Sequence, residues 1–219
     1  MSILGEQTCA DGTRLYCRTG VEGYDPEKKI LYAELPFQTA VPEEFRNKRF
    51  DWSAYSAYNL QARKIPSDYC KDIVSNIENG KGLWICSESA GSGKSLLASA
   101  ILGHAERNGV KGTVYTSVSK MEEHGKESCD SSFWQEFLSC DLLVIDEAEE
   151  GFGKYSNSAR MLRERLDSKK ATIICSLETP EALFGKDKKT ISRIRAACEI
   201  VALPNEDIRV KLKKWPKEA

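Results

Sequence analysis

A chain of 219 residues can bury one substantial core, or one core and a short appendage. Its 32 basic and 33 acidic side chains nearly cancel, which excludes a global field that would drive it onto nucleic acid or an anionic membrane. No apolar run approaches the roughly 18 residues that span a bilayer, and MSILGEQTCADG lacks the segments of a secretory leader, so a soluble, cytoplasmic protein is expected.

The eight cysteines stand singly at positions 9, 17, 70, 86, 129, 140, 175 and 198. Cys86, Cys140, Cys175 and Cys198 lie in or beside apolar segments and read as reduced thiols used as small core hydrophobes. Cys9 and Cys17 have no second pair at ligand spacing, so no metal is expected there.

Residues 1–40 carry turn signals (Asp11-Gly12, Glu22-Gly23, Asp25-Pro26) around short apolar runs such as Ile30-Leu31-Tyr32, which predicts a small β-rich or irregular N-terminal arm. Residues 41–219 are expected to form one domain. Trp52, Tyr55 and Tyr58 read as the buried face of a helix, with stacking on bases or on adenine as the alternative. Ser67 is placed to cap a helix whose apolar positions Tyr69, Ile73, Val74 and Ile77 share one face and which Asn79-Gly80 stops.

Five continuous apolar runs follow: Leu83–Cys86, Val114–Thr116, Leu142–Ile145, Thr172–Cys175 and Ile200–Leu203. Helical stretches separate them, among them one from Leu96 to Asn108-Gly109, one around Phe133, Trp134, Phe137 and Leu138, and one around Met161, Leu162 and Leu166. Unbroken apolar strands interleaved with helices predict an α/β fold, a three-layer domain with a five-stranded parallel sheet covered on both faces.

Between the first strand and its helix lies ICSESAGSGKS, which ends in the Gly-x-Gly-Lys-Ser of a phosphate-cradling loop. Main-chain amides from Ala90 through Gly91, Ser92, Gly93, Lys94 and Ser95 to Leu96 are expected to point at an anion, with the helix dipole adding to them. Lys94 would reach the outer phosphates of ATP and the Ser95 hydroxyl would ligate Mg2+. Glu88 stands where such loops usually open with glycine. A carboxylate aimed at the phosphates would cost about 4 kcal/mol per unit charge at about 4 Å and an effective dielectric of about 20, so Glu88 is expected to face outward.

The run Leu142–Ile145 ends in Asp146-Glu147, some fifty residues after Lys94. Asp146 is placed to hold magnesium through water and Glu147 to orient and deprotonate the attacking water. His104 and His124 have no partner at ligand spacing. Lys111, Lys120, Lys126, Lys154, Lys169 and Lys170 read as solvated surface, with a DNA path as the alternative.

These motifs and their flanks resemble the AAA+ ATPases, and within them the DnaC/DnaI-type bacterial and phage helicase loaders and the IstB-type transposition ATPases. The likeness covers roughly residues 41–210, through VPEEFRNKRFDW, GLWICSESAGSGKSLLASAIL, DLLVIDE, TIICSLETPEAL and ISRIRAACEIVALPNEDIR. It implies that Ser176 positions the water, with Leu177 standing where the family carries asparagine, and hence slow hydrolysis. It implies that Arg193, in Ser192-Arg193, is an arginine finger supplied to a neighbouring protomer, and hence a homo-oligomer. It also implies that the segment from Phe45 to Trp52 borders the adenine. The family's helical lid is expected to be missing: Asn205 would cap a final helix with Glu206 and Asp207 in its first turn and Lys211, Lys213 and Lys214 toward its end.

The function implied is ATP-dependent loading or remodelling of a replicative helicase on single-stranded DNA, in a bacterial cell and encoded by host or phage. The alternatives are a transposition ATPase acting with a transposase on duplex DNA, and a nucleotide-binding adaptor with little turnover, motivated by Glu88 and Leu177. A small-molecule kinase would have no use for Glu147 or for Ser192-Arg193.

Overall fold

The computed structural model describes residues 5–8, 14–18, 23–25, 30–34, 39–46, 48, 50–58, 60–124, 132–149, 152 and 156–209. The chain divides into two compact units, Met1–Thr39 and Ala40–Ala219. In the first, β1 (Gly5–Thr8), β2 (Arg14–Arg18), β3 (Gly23–Asp25) and β4 (Ile30–Glu34) form one mixed sheet in the order β1-β2-β4-β3. The β2–β4 pairing is parallel and the two outer pairings are antiparallel.

The second unit opens with single 3-10 turns at Glu43–Phe45 and Trp52–Ala54, then α1 (Leu60–Lys71) and α2 (Ile73–Glu78). The alternation of strand and helix follows: β5 (Gly82–Cys86), α3 (Lys94–Arg107), β6 (Thr113–Ser117), α4 (Val118–His124), α5 (Ser132–Ser139), β7 (Leu142–Asp146), α6 (Asn157–Asp167), β8 (Ala171–Ser176), α7 (Pro180–Phe184), α8 (Lys188–Ala197) and β9 (Cys198–Ala202). All five predicted strands are present, and every pairing in the order β6-β7-β8-β5-β9 is parallel.

Successive side chains of a strand point to opposite faces, so a run that is apolar throughout feeds two cores. Leu83 and Ile85 of β5 join Val144 and Ile173 beneath Tyr69, Ile73, Leu97 and Ile101 of α1 to α3. Trp84 and Cys86 of the same strand join Leu143, Ile145 and Ile174 beneath Trp134, Phe137, Met161, Phe184 and Ile194 from the helices of the other face. These are the three layers. Among the described residues no helix is long and apolar enough to cross a membrane.

Two local expectations fail. The helix assigned to Ser67 begins seven residues earlier, at Leu60, and runs through Pro66, because Ala62, Pro66 and Tyr69 at helical spacing bury one face. Ser67 therefore caps nothing; its hydroxyl donates back to Arg63 O at 2.8 Å. Val74 is 39% exposed, since the chain turns at Asp72 and α2 starts with a new orientation. The aromatics Trp52, Tyr55 and Tyr58 do not share a helix either. They cluster with Phe50 around the 3-10 turn, with neighbouring ring centroids 5.0 to 6.1 Å apart.

Candidate functional site

The carboxyl ends of four strands are stitched together where the glycine-rich loop leaves β5. Ser87 N donates to Ser176 O, Ala148 N to Cys175 O at 2.9 Å, and Leu203 N to Cys86 O at 2.8 Å. Between β5 and α3 the chain turns through Gly91 (φ 74°) and Gly93 (φ 87°), both in the left-handed region that L side chains avoid. Space demands glycine as well. A Cβ on Gly91 would meet the side chains of Arg209 and Asp207, and one on Gly93 would meet Ile208 Cδ1 at 2.9 Å and Phe50 Cε2 at 3.1 Å.

Gly93 is the N-cap of α3 and supplies no side chain to satisfy the first-turn amides. The amides leading into α3 at Lys94, Ser95 and Leu96 thus combine with the left-handed turns to make a concave surface of N–H donors at the positive end of a 14-residue helix. Leu96 itself turns its side chain into the protein and is buried. Ser92 is wholly buried, and its carbonyl accepts from the Tyr55 hydroxyl, so the aromatic cluster props the loop from behind. The loop's own oxygens receive Lys94: its Nζ donates to Ser87 O at 3.1 Å, Ser89 O at 3.0 Å and Ser92 Oγ at 3.3 Å. Burial lowers the Lys94 pKa, and Cys175, Glu149 and Asp146 nearby oppose that shift.

Glu88 is exposed. Its carboxylate accepts from Asn205 Nδ2 at 3.1 Å, while Asn205 Oδ1 accepts from Glu88 N at 3.0 Å and from Ser87 Oγ at 3.0 Å. The Asn205 side chain thus serves the loop and caps no helix; Lys211, Lys213 and Lys214 lie outside the described residues. The segment after β9 continues across the loop, with Ile208 N donating to Gly91 O at 3.0 Å. Glu206 ties it to the aromatic segment by accepting from Ser56 N at 2.8 Å and Ser56 Oγ at 2.6 Å.

At the end of β7, Asp146 Oδ1 accepts from Glu147 N at 2.9 Å and Oδ2 accepts from the Tyr115 hydroxyl at 2.5 Å. Tyr115, on β6, was not legible as a site residue, because a tyrosine inside an apolar strand carries no sequence signal beyond core packing. Burial and the Asp146 carboxylate push its pKa well up, and the Ser95 side chain lies near the same phenol. Glu147 is exposed and holds φ 56°, an unusual conformation for a side chain of its size. Ser95 and Asp146 offer hard oxygen ligands beside a cradle of backbone N–H groups, which fits magnesium with an anionic nucleotide.

Ser176 is placed differently from the expectation. It is 1% exposed, and its hydroxyl donates to Ala148 O and accepts from Glu178 N at 3.0 Å. The structure puts it beneath the turn that carries Glu147, where it braces backbone. Arg193 lies on α8 with its Nε 2.7 Å from Asp167 Oδ1, both side chains about half exposed. Asp167 ends α6 just before β8 begins, so Arg193 is held toward the strands' amino ends, away from the loop of its own chain.

Lys111, Lys169 and Lys170 also gather at the amino ends, around a pocket of about 630 Å³ with Val74, Ile77 and Val110 in its wall. Lys126 and Lys154 lie outside the described residues. His104 Nε2 meets Cys70 O at 3.1 Å, joining α3 to α1. Among the described residues no group of three or more His, Cys, Asp or Glu side chains is arranged to hold a metal ion.

No protein-family model matches the chain, and no curated protein does. Solved structures do. The DnaC helicase loader is 21% identical, with a TM-score of 0.58 over 74% of this chain and 99% of that one. DnaI is 18% identical, with a TM-score of 0.60 over 77% and 94%. AMPPCP-bound DnaA from Aquifex aeolicus is 20% identical, with a TM-score of 0.55 over 82% of this chain and 58% of that one. At such identities the likeness speaks for architecture: this chain carries the three-layer α/β fold of these structures.

Proposed function

We propose that this chain binds ATP with magnesium, hydrolyses it slowly, and uses the cycle to load or remodel a replicative DNA helicase on single-stranded DNA. The observation that carries the reading is the convergence at the carboxyl ends of the strands of Lys94, held inside a loop of left-handed glycines, with Asp146-Glu147 at the end of β7. The amides from Ala90 to Leu96 would bind the phosphates and Lys94 would exchange its loop carbonyls for the outer phosphate oxygens. Ser95 and Asp146 would hold magnesium, which when bound neutralises charge on the phosphates.

Glu147 would take the proton of the attacking water, its exposed carboxylate projecting from the strained position after Asp146. Arg193 would complete the site of a neighbouring protomer, which makes turnover a property of a homo-oligomer. The likeness in fold to DnaC and DnaI, whose structures include one named as a helicase loader, supports a helicase as partner. The aromatic segment from Phe50 to Tyr58 would border the base, since it already packs against Gly93 and Ser92.

One observation favours a second reading, a nucleotide-dependent adaptor with little turnover: the Ser176 hydroxyl is engaged with backbone and Leu177 beside it carries no polar group. Two assays separate the readings. ATP turnover of the native chain above that of Lys94→Ala and Glu147→Gln supports the enzyme, whereas negligible and equal turnover in all three leaves the adaptor. ATP-dependent retention of a purified hexameric helicase, with no retention of a transposase, supports the loader; the reverse pattern contradicts it.

A further inference from the structure

Tyr115 stands opposite Val144 in the register of β6 with β7, and residues two apart on a strand share a face, so its side chain lies on the same side of the sheet as Asp146. Its hydroxyl donates to Asp146 Oδ2 at 2.5 Å, while Oδ1 of the same carboxylate accepts from Glu147 N at 2.9 Å. Both oxygens of the acidic side chain expected to serve magnesium are therefore engaged by donors of the chain itself. One donor is main chain and fixed by the turn. The other is a side chain that can swing.

We infer that Tyr115 is a positioning residue that rivals magnesium at Asp146, so that its hydroxyl and the cation's water shell compete for the carboxylate. This rests on the reading of Ala90–Leu96, Ser95 and Asp146 as the nucleotide and metal site. An O–H donor to an ionised carboxylate makes one of the stronger hydrogen bonds, and the phenol is partly buried, where water competes with it poorly. A magnesium-bound water would donate to the same carboxylate, and an acceptor already holding a strong hydrogen bond takes a further donor more weakly. Nucleotide alone can enter the amide cradle without disturbing Tyr115, whereas the metal-loaded nucleotide brings further donors to the carboxylate that Tyr115 holds. The chain would thus distinguish the two forms of its ligand, with Tyr115 setting the magnesium concentration at which one gives way to the other.

The test is calorimetry of ADP binding to the full chain, in EDTA and across a magnesium titration, for the native protein and Tyr115→Phe, which keeps the ring and removes the donor. Equal affinity in EDTA and a magnesium midpoint lowered about tenfold in Tyr115→Phe is the expected result, on the scale of a hydrogen bond to a charged group. A midpoint unchanged or raised overturns the inference alone, because nucleotide binding persists. A native chain that binds no ADP in either condition overturns the inference and the reading beneath it together. A second measurement needs no folded variant: with 3-fluorotyrosine in the native sequence, the Tyr115 fluorine resonance is expected to move when magnesium is added to the ADP complex. A resonance that stays in place overturns the inference.

Discussion

Asn205 grips Glu88 at both ends of its amide, donating to the Glu88 carboxylate at 3.1 Å and accepting from Glu88 N at 3.0 Å. A carboxylate at the mouth of a phosphate loop is tolerable under this arrangement, because a residue 117 positions away holds it on the solvent side. Lys94 makes its hydrogen bonds to Ser87, Ser89 and Ser92. Replacing Glu88 by Gly is expected to change ATP affinity less than about threefold, since an exposed charge is well screened. Asn205→Ala removes the bonds to Ser87 Oγ and Glu88 N as well, and is expected to weaken ATP binding about tenfold and the fold by about 1 to 2 kcal/mol. Calorimetry and urea unfolding of both variants check this; a larger loss from Glu88→Gly than from Asn205→Ala would contradict it.

Arg193 and Asp167 form an exposed ion pair, and such pairs are worth about 0 to 1 kcal/mol. Arg193→Ala should therefore leave the unfolding midpoint nearly unchanged while lowering ATP turnover by a hundredfold or more, on the order of a lost arginine finger. Mixing Arg193→Ala with Lys94→Ala should restore part of the activity, because one variant keeps an intact loop and the other an intact arginine. Turnover that ignores protein concentration and mixing would contradict a residue supplied by a neighbour.

Arg165 is fully buried, and hydrogen bonds to backbone and neutral side chains surround its guanidinium. It donates to Phe137 O at 2.5 Å, Cys140 O at 3.0 Å, Ala171 O at 2.6 Å and Thr172 Oγ1 at 3.0 Å, which closes the carboxyl end of α5 onto the start of β8. Burial lowers its pKa. Arg165→Met would leave several buried carbonyls without donors, for an expected loss of about 3 kcal/mol or more in urea unfolding with nucleotide affinity little affected. A loss under about 1 kcal/mol would mean that the helix end finds other partners.

Cys198 is buried against β8, and burial pushes its thiol from 9.0 up to about 12. A folded pKa above the unfolded one means that the native state keeps a proton the unfolded chain gives up. Stability should hold below about pH 9 and fall as pH rises from there toward 12, by up to about 1.4 kcal/mol per pH unit from this one group. Cys198→Ala should flatten that slope in unfolding curves taken between pH 8 and 10.5. An unchanged slope in the variant would assign the alkaline loss to other groups.

The parts of this molecule that were legible in its sequence are those with a local or periodic signature. Short runs such as Leu142–Ile145, apolar at every position and interleaved with helices, read as strands covered on both faces, and a glycine-lysine-serine turn after one of them marks where an anion would sit. What escaped was decided across the chain. The bond from Tyr115 to Asp146 joins residues 31 positions apart, and that from Tyr55 to Ser92 joins residues 37 apart, neither with a pattern of its own. Ser67 misled because serine is a favoured N-cap, and the apolar stripe through Ala62, Pro66 and Tyr69 outweighed it. Asn205 misled in the same way: a good capping residue found a better acceptor role at the loop.

The measurement that bears most directly on the whole account is isothermal calorimetry of the full chain with ATP and magnesium, run beside Lys94→Ala. The account predicts saturable binding by the native chain and a loss of at least about tenfold in Lys94→Ala, since that ammonium would trade loop carbonyls for phosphate oxygens. Absence of binding by the native chain, or equal affinity in the two, would contradict it.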